Sequence, residues 1–311
     1  LALLAYVVLD GYDLGVGILL PWASDDDKDV MVSSIGPFWD ANETWLVLGV
    51  GVLLVAFPQA HGMVLSALYL PVVVMLVGLV LRGVAFDFRV KAHADHKPLW
   101  NALFAAGSLA SSMAQGWMLG SYVTGFDHGL WGLLFSAGIA LTLPAAYAML
   151  GAGWLIMKTD GALQARAVAW GSRVFWPMLL ALAGISLATP LVSATVFAKW
   201  FSLPELFALL PIPLACAAAL WALHHVLVNP GIVKAGYGWV VFAATVLVFV
   251  LAFFGLAYSL FPYIVIDRLN VWEAASAPQS LAVLMVGVGI TLPVIIGYTV
   301  FMYRVFWGKA R

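Results

Sequence analysis

Two acidic side chains stand three residues apart at the start of an apolar stretch. The segment Gly36-Pro37-Phe38-Trp39-Asp40-Ala41-Asn42-Glu43-Thr44-Trp45-Leu46 holds two carboxylates, an amide and two tryptophans. On a helix, Asp40 and Glu43 share a face. Ionisable groups at the edge of hydrocarbon are costly to bury and often serve in proton movement. The competing interpretation is a helix cap, in which Asp40 accepts amide protons and Glu43 reaches back.

A second set of charges lies inside apolar segments. Asp10, Asp13 and Gly17 fall on one helix face, at spacings of three and four residues. Each acid would cost about 2.5–3.5 kcal/mol if it faced lipid, so both must face protein or water. Arg82 lies too deep in its own apolar segment for a simple surface charge, and we expect it to pair with Asp10, Asp13 or Asp87, since buried charges are usually paired. Snorkelling to the interface is the alternative.

These groups must be positioned by membrane helices. Of 311 residues, 64% are hydrophobic and 9% charged, against about 25% charged in soluble proteins. The net charge of −1 predicts no nucleic-acid surface, and the single Cys216 predicts neither a disulfide framework nor a cysteine-based metal site. We expect one integral membrane domain over 1–311. Because the chain starts without Met and inside an apolar stretch, we expect residues before it to be missing.

Segments of about 20 apolar residues predict an all-α polytopic membrane protein with nine transmembrane helices. Twelve of the 14 Lys and Arg residues fall on one side of this arrangement, and only Lys199 and Arg268 fall on the other. The positive-inside rule then predicts an external N-terminus and a cytoplasmic C-terminus. The predicted spans are 1–22, 43–58, 62–86, 99–123, 130–157, 168–194, 203–228, 237–262 and 279–306.

The remaining polar residues do not predict a catalytic or ligand-binding site. The run Asp25-Asp26-Asp27-Lys28-Asp29 is interpreted as a solvated loop. A membrane haem held by two histidines needs them on facing helices at one depth. His61, His93, His96 and His128 are predicted in turns or loops, while the adjacent His224 and His225 point to different faces. We therefore expect this chain to bind no haem and no metal.

Several segments together resemble subunit II of the cytochrome bd family of quinol oxidases. They occur in the family's order and cover nearly the whole chain; the form of Asn42-Glu43-Thr44-Trp45 and of Trp200-Phe201-Ser202-Leu203-Pro204 is closer to the cyanide-insensitive branch. Ala41 stands where the family usually has Gly. The matching segments are Leu9-Asp10-Gly11-Tyr12-Asp13-Leu14-Gly15-Val16-Gly17, the Gly36–Leu46 segment, Leu81-Arg82-Gly83-Val84-Ala85-Phe86-Asp87-Phe88-Arg89, Phe261-Pro262 and Trp272-Glu273-Ala274-Ala275.

The resemblance implies two four-helix bundles plus one peripheral helix, in a bacterial inner membrane. It implies a partner, subunit I, that holds two b haems, haem d and the quinol site, so that this chain supports the reduction of oxygen to water without being catalytic alone. Some members hold a structural quinone in this subunit, and small single-span accessory subunits are further partners that the family allows. Membrane lipid, quinol and oxygen would be met through the complex.

The family also places a proton route from the cytoplasm at the interface of its two large subunits. Carried over by motif position, this route would use Asp40, with Trp39 and Asn42 beside it. Because Glu43 stands three residues on, we expect it to act with Asp40 as a coupled pair of carboxylates in the same route. Asp10, Asp13, Arg82 and Asp87 would form a supporting polar cluster that holds the packing or offers a second branch.

Three other functions fit parts of the sequence. A proton-coupled secondary transporter would also use intramembrane acids with an arginine, and it predicts broken helices at matching positions of two halves. A purely structural or assembly subunit would leave all the acids structural. A haem-bearing subunit is the third alternative, and the histidine placement argues against it.

Overall fold

The computed structural model describes residues 1–192, 194–203 and 205–310, so Pro204 of the Trp200–Pro204 motif lies outside the described residues. Within them the chain is almost entirely helical. Its helices are α1 Ala2–Leu19, α2 Asp25–Ile35, α3 Trp39–Ala56, α4 Pro58–Ala67, α5 Tyr69–Lys91, α6 Lys97–Val123, α7 Leu130–Lys158, α8 Gly161–Val192, α9 Ala194–Phe201, α10 Glu205–Leu209, α11 Pro211–Val228, α12 Pro230–Ile232, α13 Trp239–Leu260, α14 Val271–Ala274 and α15 Pro278–Val305.

Three short helical turns and one hairpin complete the described elements. Turns of 3₁₀ type cover Leu20–Trp22 and Ala94–His96, and a π-helical turn covers Val233–Tyr237. The antiparallel strands β1 (Tyr263–Val265) and β2 (Leu269–Asn270) form a small hairpin between α13 and α14. The hairpin was not predicted, but it leaves the all-α class unchanged.

Eight helices are long and apolar enough to cross a membrane: α1 with its following turn, α3, α5, α7, α8, α11, α13 and α15. This confirms an all-α polytopic membrane protein. The one predicted span that is not among these eight, 99–123, falls on α6. This helix has 27 residues but carries serines, glycines and Gln115 along its length. Its length suffices to cross a bilayer, while its composition is more polar than that of the other eight. The count of nine therefore stays a prediction.

The long helices can be divided into two groups of four, but the two four-helix bundles that the resemblance implies stay a prediction, because α7 packs as closely on the first group as on its own. One group is α1, α3, α5 and α6, and the other is α7, α8, α11 and α13, with α7 packed against both α1 and α6. The largest core cluster lies where α1 meets α7, around Tyr12, Tyr147 and Trp154. Tyr12 and Trp154 stack there with ring centroids 4.2 Å apart.

Small residues allow α1 and α7 to approach each other closely. A Cβ atom on Gly15 would overlap the carbonyl oxygen of Tyr147, and one on Gly151 would lie 2.4 Å from the backbone of Gly15. The two helices therefore pack backbone to backbone, which is the role of small residues at membrane helix interfaces. Since α1 carries Asp10 and Asp13, this contact fixes where those acids lie.

Helix α15 is peripheral and is held at its ends. It has no buried residue over its 28 residues. At one end, Ser276 donates backbone and side-chain hydrogen bonds to the carbonyls of Ala56 and Val55. At the other end, the Lys158 ammonium donates to the carbonyls of Phe306, Trp307 and Gly308, at 2.5, 3.2 and 3.2 Å. A cation at this position stabilises the carbonyl end of a helix.

Candidate functional site

The centre of the site is a buried arginine between two acids. The Nη2 atom of Arg82 lies 2.7 Å from Oδ1 of Asp10 and 2.9 Å from Oε1 of Glu43. Arg82 and Asp10 are almost fully buried, whereas the Glu43 side chain is 29% exposed. Helices α1, α3 and α5 thus each supply one charged group. Glu43 is the member of this trio that reaches the surface of the chain.

Asn42 binds a second acid, Asp13. Its Nδ2 atom donates to Oδ2 of Asp13 and to the hydroxyl of Tyr12, both at 2.8 Å, and to the carbonyl of Leu9 at 3.2 Å. The hydroxyl of Tyr12 in turn lies 2.7 Å from that of Tyr303 on α15. Asn42 and Asp13 are both buried. The amide therefore fixes the orientation of Asp13, and the tyrosine pair ties the network to the last helix.

A polar side-chain cluster continues along α1 away from Asp13. Gln115 Nε2 donates to the hydroxyl of Tyr6 at 2.9 Å, and the hydroxyl of Tyr147 donates to Gln115 Oε1 at 2.5 Å. Tyr6 stands one helical turn before Asp10 on α1 and interacts with it electrostatically. Buried polar groups thus extend from the α3 end of the site deep into the helix bundle.

Several buried atoms of this network retain hydrogen-bonding capacity. Among the described residues, Oδ2 of Asp10, Oδ1 of Asp13, Oδ1 of Asn42, and Nε and Nη1 of Arg82 have no hydrogen-bond partner in the protein. Buried polar groups of this kind usually bind ordered water, which makes two to four hydrogen bonds. The donors and acceptors are thus suited to a water-linked chain.

The structure separates the two acids of the Trp39–Trp45 stretch. Asp40 is exposed, while Glu43 turns inward to Arg82. The capping interpretation is wrong: α3 begins at Trp39 with Phe38 as its N-cap residue and no side-chain cap, so Asp40 already lies within the first turn. Trp39 packs on Phe86, with ring centroids 5.1 Å apart, and covers the gap between α3 and α5.

Asp87 does not join the buried cluster. It is exposed on α5 and has no ion pair in the described part of the chain. Five residues from Arg82 place it on a different face of the helix, since neighbours on one face are three or four residues apart. Of the four residues expected in the supporting cluster, the structure brings together Asp10, Asp13 and Arg82.

Sequence reasoning missed the uncharged members of the network. No chemistry was predicted for Tyr12, although it stands between the two acids of α1. Gln115 could have been found as the amide in a span that otherwise carries only small or apolar residues near it. Tyr6, Tyr147 and Tyr303 gave no signal, because a tyrosine in an apolar helix is more often an interfacial aromatic than a buried hydrogen-bonding group.

The interpretation of Asp25–Asp29 as a loop is also wrong. These residues begin helix α2, whose first turn carries three acids. Its carboxylates pair with cations of other elements: Asp27 with Arg166, and Asp29 with Arg89 at 2.7 Å and Lys97 at 3.3 Å. Partial burial acts to raise the pKa of Asp29, but the hydrogen bonds from Arg89 and Lys97 outweigh it and hold the pKa below its ordinary value.

The histidines occupy surface positions. All six lie within the described residues, and none is buried. His224 packs against Phe175 and Trp176, and His225 stacks on Trp221 with centroids 5.3 Å apart. Within the described ranges, no group of three or more His, Cys, Asp and Glu side chains is placed to hold a metal ion.

A family model and two relatives each match nearly the whole chain. The family model described as cytochrome bd terminal oxidase subunit II matches residues 1–306. A relative described as cytochrome bd ubiquinol oxidase subunit 2, from Bacillus subtilis, is 29% identical, over 97% of this chain and 91% of its own length. One described as probable cytochrome oxidase subunit 2, from Haemophilus influenzae, is 25% identical, over 99% and 92%.

One further match covers part of the sequence, and another is a match of structure. The Escherichia coli K12 protein described as cytochrome bd-I ubiquinol oxidase subunit 2 is 29% identical over 59% of this chain and 53% of its own length. A chain from the solved structure of the bd oxidase of Geobacillus thermodenitrificans superposes with a TM-score of 0.77, over 99% of this chain and 96% of that one, at 17% identity. At that identity the likeness shows a shared fold.

Proposed function

The chain belongs to the family of cytochrome bd terminal oxidase subunit II, and we propose that it is the haem-free second subunit of a bd-type quinol oxidase. It is a multi-pass protein of the bacterial inner membrane. Its partner is a haem-bearing subunit I, whose two b haems and haem d supply electron transfer and oxygen reduction. Of its own histidines, His224 and His225 pack against aromatic rings. Family membership favours this function over a secondary transporter.

The contribution of this chain is a path for protons from the cytoplasm to the site of oxygen reduction. The observation that carries this proposal is a set of polar side chains that runs inward from the exposed Asp40, through the partly exposed Glu43 one helical turn on, to the buried Arg82 and Asp10. Quinol oxidised on the external side releases its protons there. Protons consumed with oxygen come from the other side, so charge separates without a pump.

The role of each residue in this route follows from its exposure to solvent. Asp40 collects protons at the exposed edge of α3, and Glu43, three residues on, receives them through water. Arg82 keeps its charge and holds Glu43 and Asp10 within 2.9 and 2.7 Å of one nitrogen atom. The proton therefore need not cross open hydrocarbon between the two acids. Asn42 orients Asp13 as a side branch, and Trp39 shields the entry from lipid.

The orientation of the route follows from the charges. At one end of the molecule, Arg89, Lys97 and Arg166 pair with acids of α2, and Lys309, in the tail after α15, pairs with Asp160 between α7 and α8. The positive-inside rule assigns this end to the cytoplasm. Helix α3 starts at the same end, directly after α2, so Asp40 and Glu43 face the compartment from which protons are taken.

The test replaces each acid in the complete oxidase complex. Asp40→Asn and Glu43→Gln are expected to lower quinol-driven oxygen uptake on the order of 100-fold, with the visible haem spectrum unchanged. Asp87→Asn is the matched control, because Asp87 is exposed near the same end but lies outside the network. Normal oxygen uptake by both variants, with normal spectra, would show that protons take another route.

A purely structural function for the network is the second candidate. Its supporting observation is that Arg82 and Asp10 are buried and that their contacts, with those of Glu43, join α1, α3 and α5. Breaking such a contact leaves an uncompensated buried charge and destabilises the fold. In that case the variants would lose haem and partner subunit together, whereas loss of oxygen uptake alone supports the proton route.

A further inference from the structure

Residues 306–310, termed the strap, follow α15 and are bound to the end of α7. Lys158 is almost completely buried, and its ammonium donates to three carbonyls of the strap. The amide of Ala310 donates back to the carbonyl of Lys158 at 2.7 Å, and the Lys309 ammonium lies 3.0 Å from Asp160. The strap is thus held at both of its ends, although α15 itself buries no residue.

A layer of aromatic rings lies next to the strap. The ring of Phe38 packs on Tyr303 and Trp154, with centroids 4.6 and 5.5 Å apart. Phe306 of the strap meets Phe38 edge-on at 6.1 Å. The Lys158 ammonium lies 5.6 Å from the centroid of Phe38 and 5.2 Å from that of Trp154, within the range of a cation–π contact. One buried cation therefore ties the strap to the aromatic layer.

Behind the aromatic layer lies the branch of the polar network that contains Asp13. Trp154 stacks on Tyr12, whose hydroxyl lies 2.7 Å from that of Tyr303 and accepts a hydrogen bond from Asn42. Among the described residues, Oδ1 of Asn42 and Oδ1 of Asp13 have no hydrogen-bond partner. Buried atoms of this kind usually bind ordered water. The branch is therefore suited to conduct protons from Tyr303 to Asp13.

Asp13 also leads to the acid at the inner end of the proposed route. Asp10 and Asp13 are three residues apart on one face of α1, and they interact electrostatically. Oδ2 of Asp10 has no hydrogen-bond partner in the described part of the chain. A proton that entered at Tyr303 would reach Asp10 through water without meeting Glu43. Such a bypass needs a water-filled opening beside Tyr303, and the strap and Phe38 cover this position.

We propose that the strap, latched by Lys158, seals the Asp13 branch from cytoplasmic water, so that protons enter the network at Glu43 and not at Tyr303. This inference rests on the proposed proton route. The Lys158 ammonium satisfies carbonyls after α15 that would otherwise bind water. The ring of Phe38 interrupts any water chain, since a bound water needs two to four polar partners. Release of the strap opens a second entry.

The experiment measures hydrogen exchange and quinol-driven oxygen uptake in the complete oxidase complex. Hydrogen bonds from a charged donor are strong, so Lys158→Met should speed amide exchange in residues 36–42 and 304–310 about ten-fold. In the Glu43→Gln background it should raise oxygen uptake about ten-fold, because water then reaches Asp13. Lys158→Arg keeps the cation, and it should leave exchange and uptake as they are in the matching background.

Two further variants guard against a general effect of lost charge or lost folding. Lys91 is exposed in the last turn of α5 and has no ion pair among the described residues, so Lys91→Met should change neither exchange nor uptake. Lys309→Gln releases the other end of the strap without touching Lys158, and it should change both readouts in the same direction as Lys158→Met. It decides the question if the complex with Lys158→Met does not assemble.

Two outcomes would overturn the seal. Unchanged exchange in the strap variants would show that the strap does not control the access of water. Faster exchange without any gain of oxygen uptake in the Glu43→Gln background would show that the strap only stabilises the fold. Full oxygen uptake by Glu43→Gln alone would instead refute the proton route, and the exchange rates would then uphold or overturn the seal against water by themselves.

Discussion

The Nη2 atom of Arg82 lies 2.7 Å from Oδ1 of Asp10, with both side chains almost completely buried. The two residues come from α5 and α1, and Glu43 of α3 shares the same nitrogen atom. A buried cation with two carboxylates is costly to assemble and still more costly to break. This contact is therefore both the centre of the proposed proton route and a constraint on the packing of the first helix group.

Replacing Arg82 should lower the stability of the assembled complex. Arg82→Gln leaves Asp10 buried without a cation, and we expect it to destabilise the assembled complex by about 3–5 kcal/mol. The measurement is the midpoint of thermal unfolding, read with the yield of intact complex. Combining it with Asp10→Asn removes the unpaired charge and should recover part of the loss. If the loss of stability in the double variant equals the sum of the losses in Arg82→Gln and Asp10→Asn, the two residues are not coupled, which would contradict the pairing.

The hydroxyl of Tyr303 should hold the end of α15 to the network. Tyr303→Phe removes the hydrogen bond to Tyr12, and the expected loss of stability is about 0.5–1.5 kcal/mol. Hydrogen exchange should increase in residues 304–310. Tyr298→Phe is the control, since Tyr298 lies on the same helix and is exposed. Equal exchange in both variants would mean that packing alone holds this end.

The pairing of Asp29 with Arg89 should make the stability of the fold depend on pH, with a sign that follows from the pKa of Asp29. The pKa of Asp29 is lowered in the folded protein. The stabilisation of the fold by ionised Asp29 is therefore complete above the unfolded pKa of about 3.9, and it declines as the pH falls through the lower folded pKa. Asp29→Asn should therefore unfold at a lower temperature than the wild type near neutral pH, and this difference should shrink in acid.

The control for this prediction is Asp26→Asn, because Asp26 is exposed on the same helix and has no ion pair in the part of the chain that the structure covers. It should unfold like the wild type at every pH. A difference for Asp29→Asn that stayed constant from neutral pH to about pH 3, below the ordinary pKa, would mean that charge plays no part in it.

Contact between α1 and α7 should tolerate no added atom at Gly15. Gly15→Ala places a Cβ atom against the carbonyl of Tyr147, and overpacking of this kind costs about 1–3 kcal/mol. Thermal unfolding of the complex measures it. Gly184→Ala serves as the control, because the space around Gly184 is open. Similar stabilities of the two variants would show that the helices can move apart freely.

The sequence alone determined the class of protein and many of the chemical groups. Composition required a membrane protein, because 9% charged residues cannot cover a soluble surface. Spacing placed Asp10 and Asp13 on one face of α1, since the helical repeat is a local property. The cost of charge in hydrocarbon required a partner for Arg82. Each of these inferences depends on neighbouring residues or on the chain as a whole.

Only the tertiary structure decided which groups meet. It joined Arg82 to Asp10 and Glu43, left Asp87 and Asp40 exposed, and added Tyr303 from the far end of the chain. Helical spacing defines the faces of one helix, but the pairing of faces depends on backbone contacts such as Gly15 against Tyr147. Those contacts join distant segments, so their geometry follows from packing of the whole bundle and not from any local pattern.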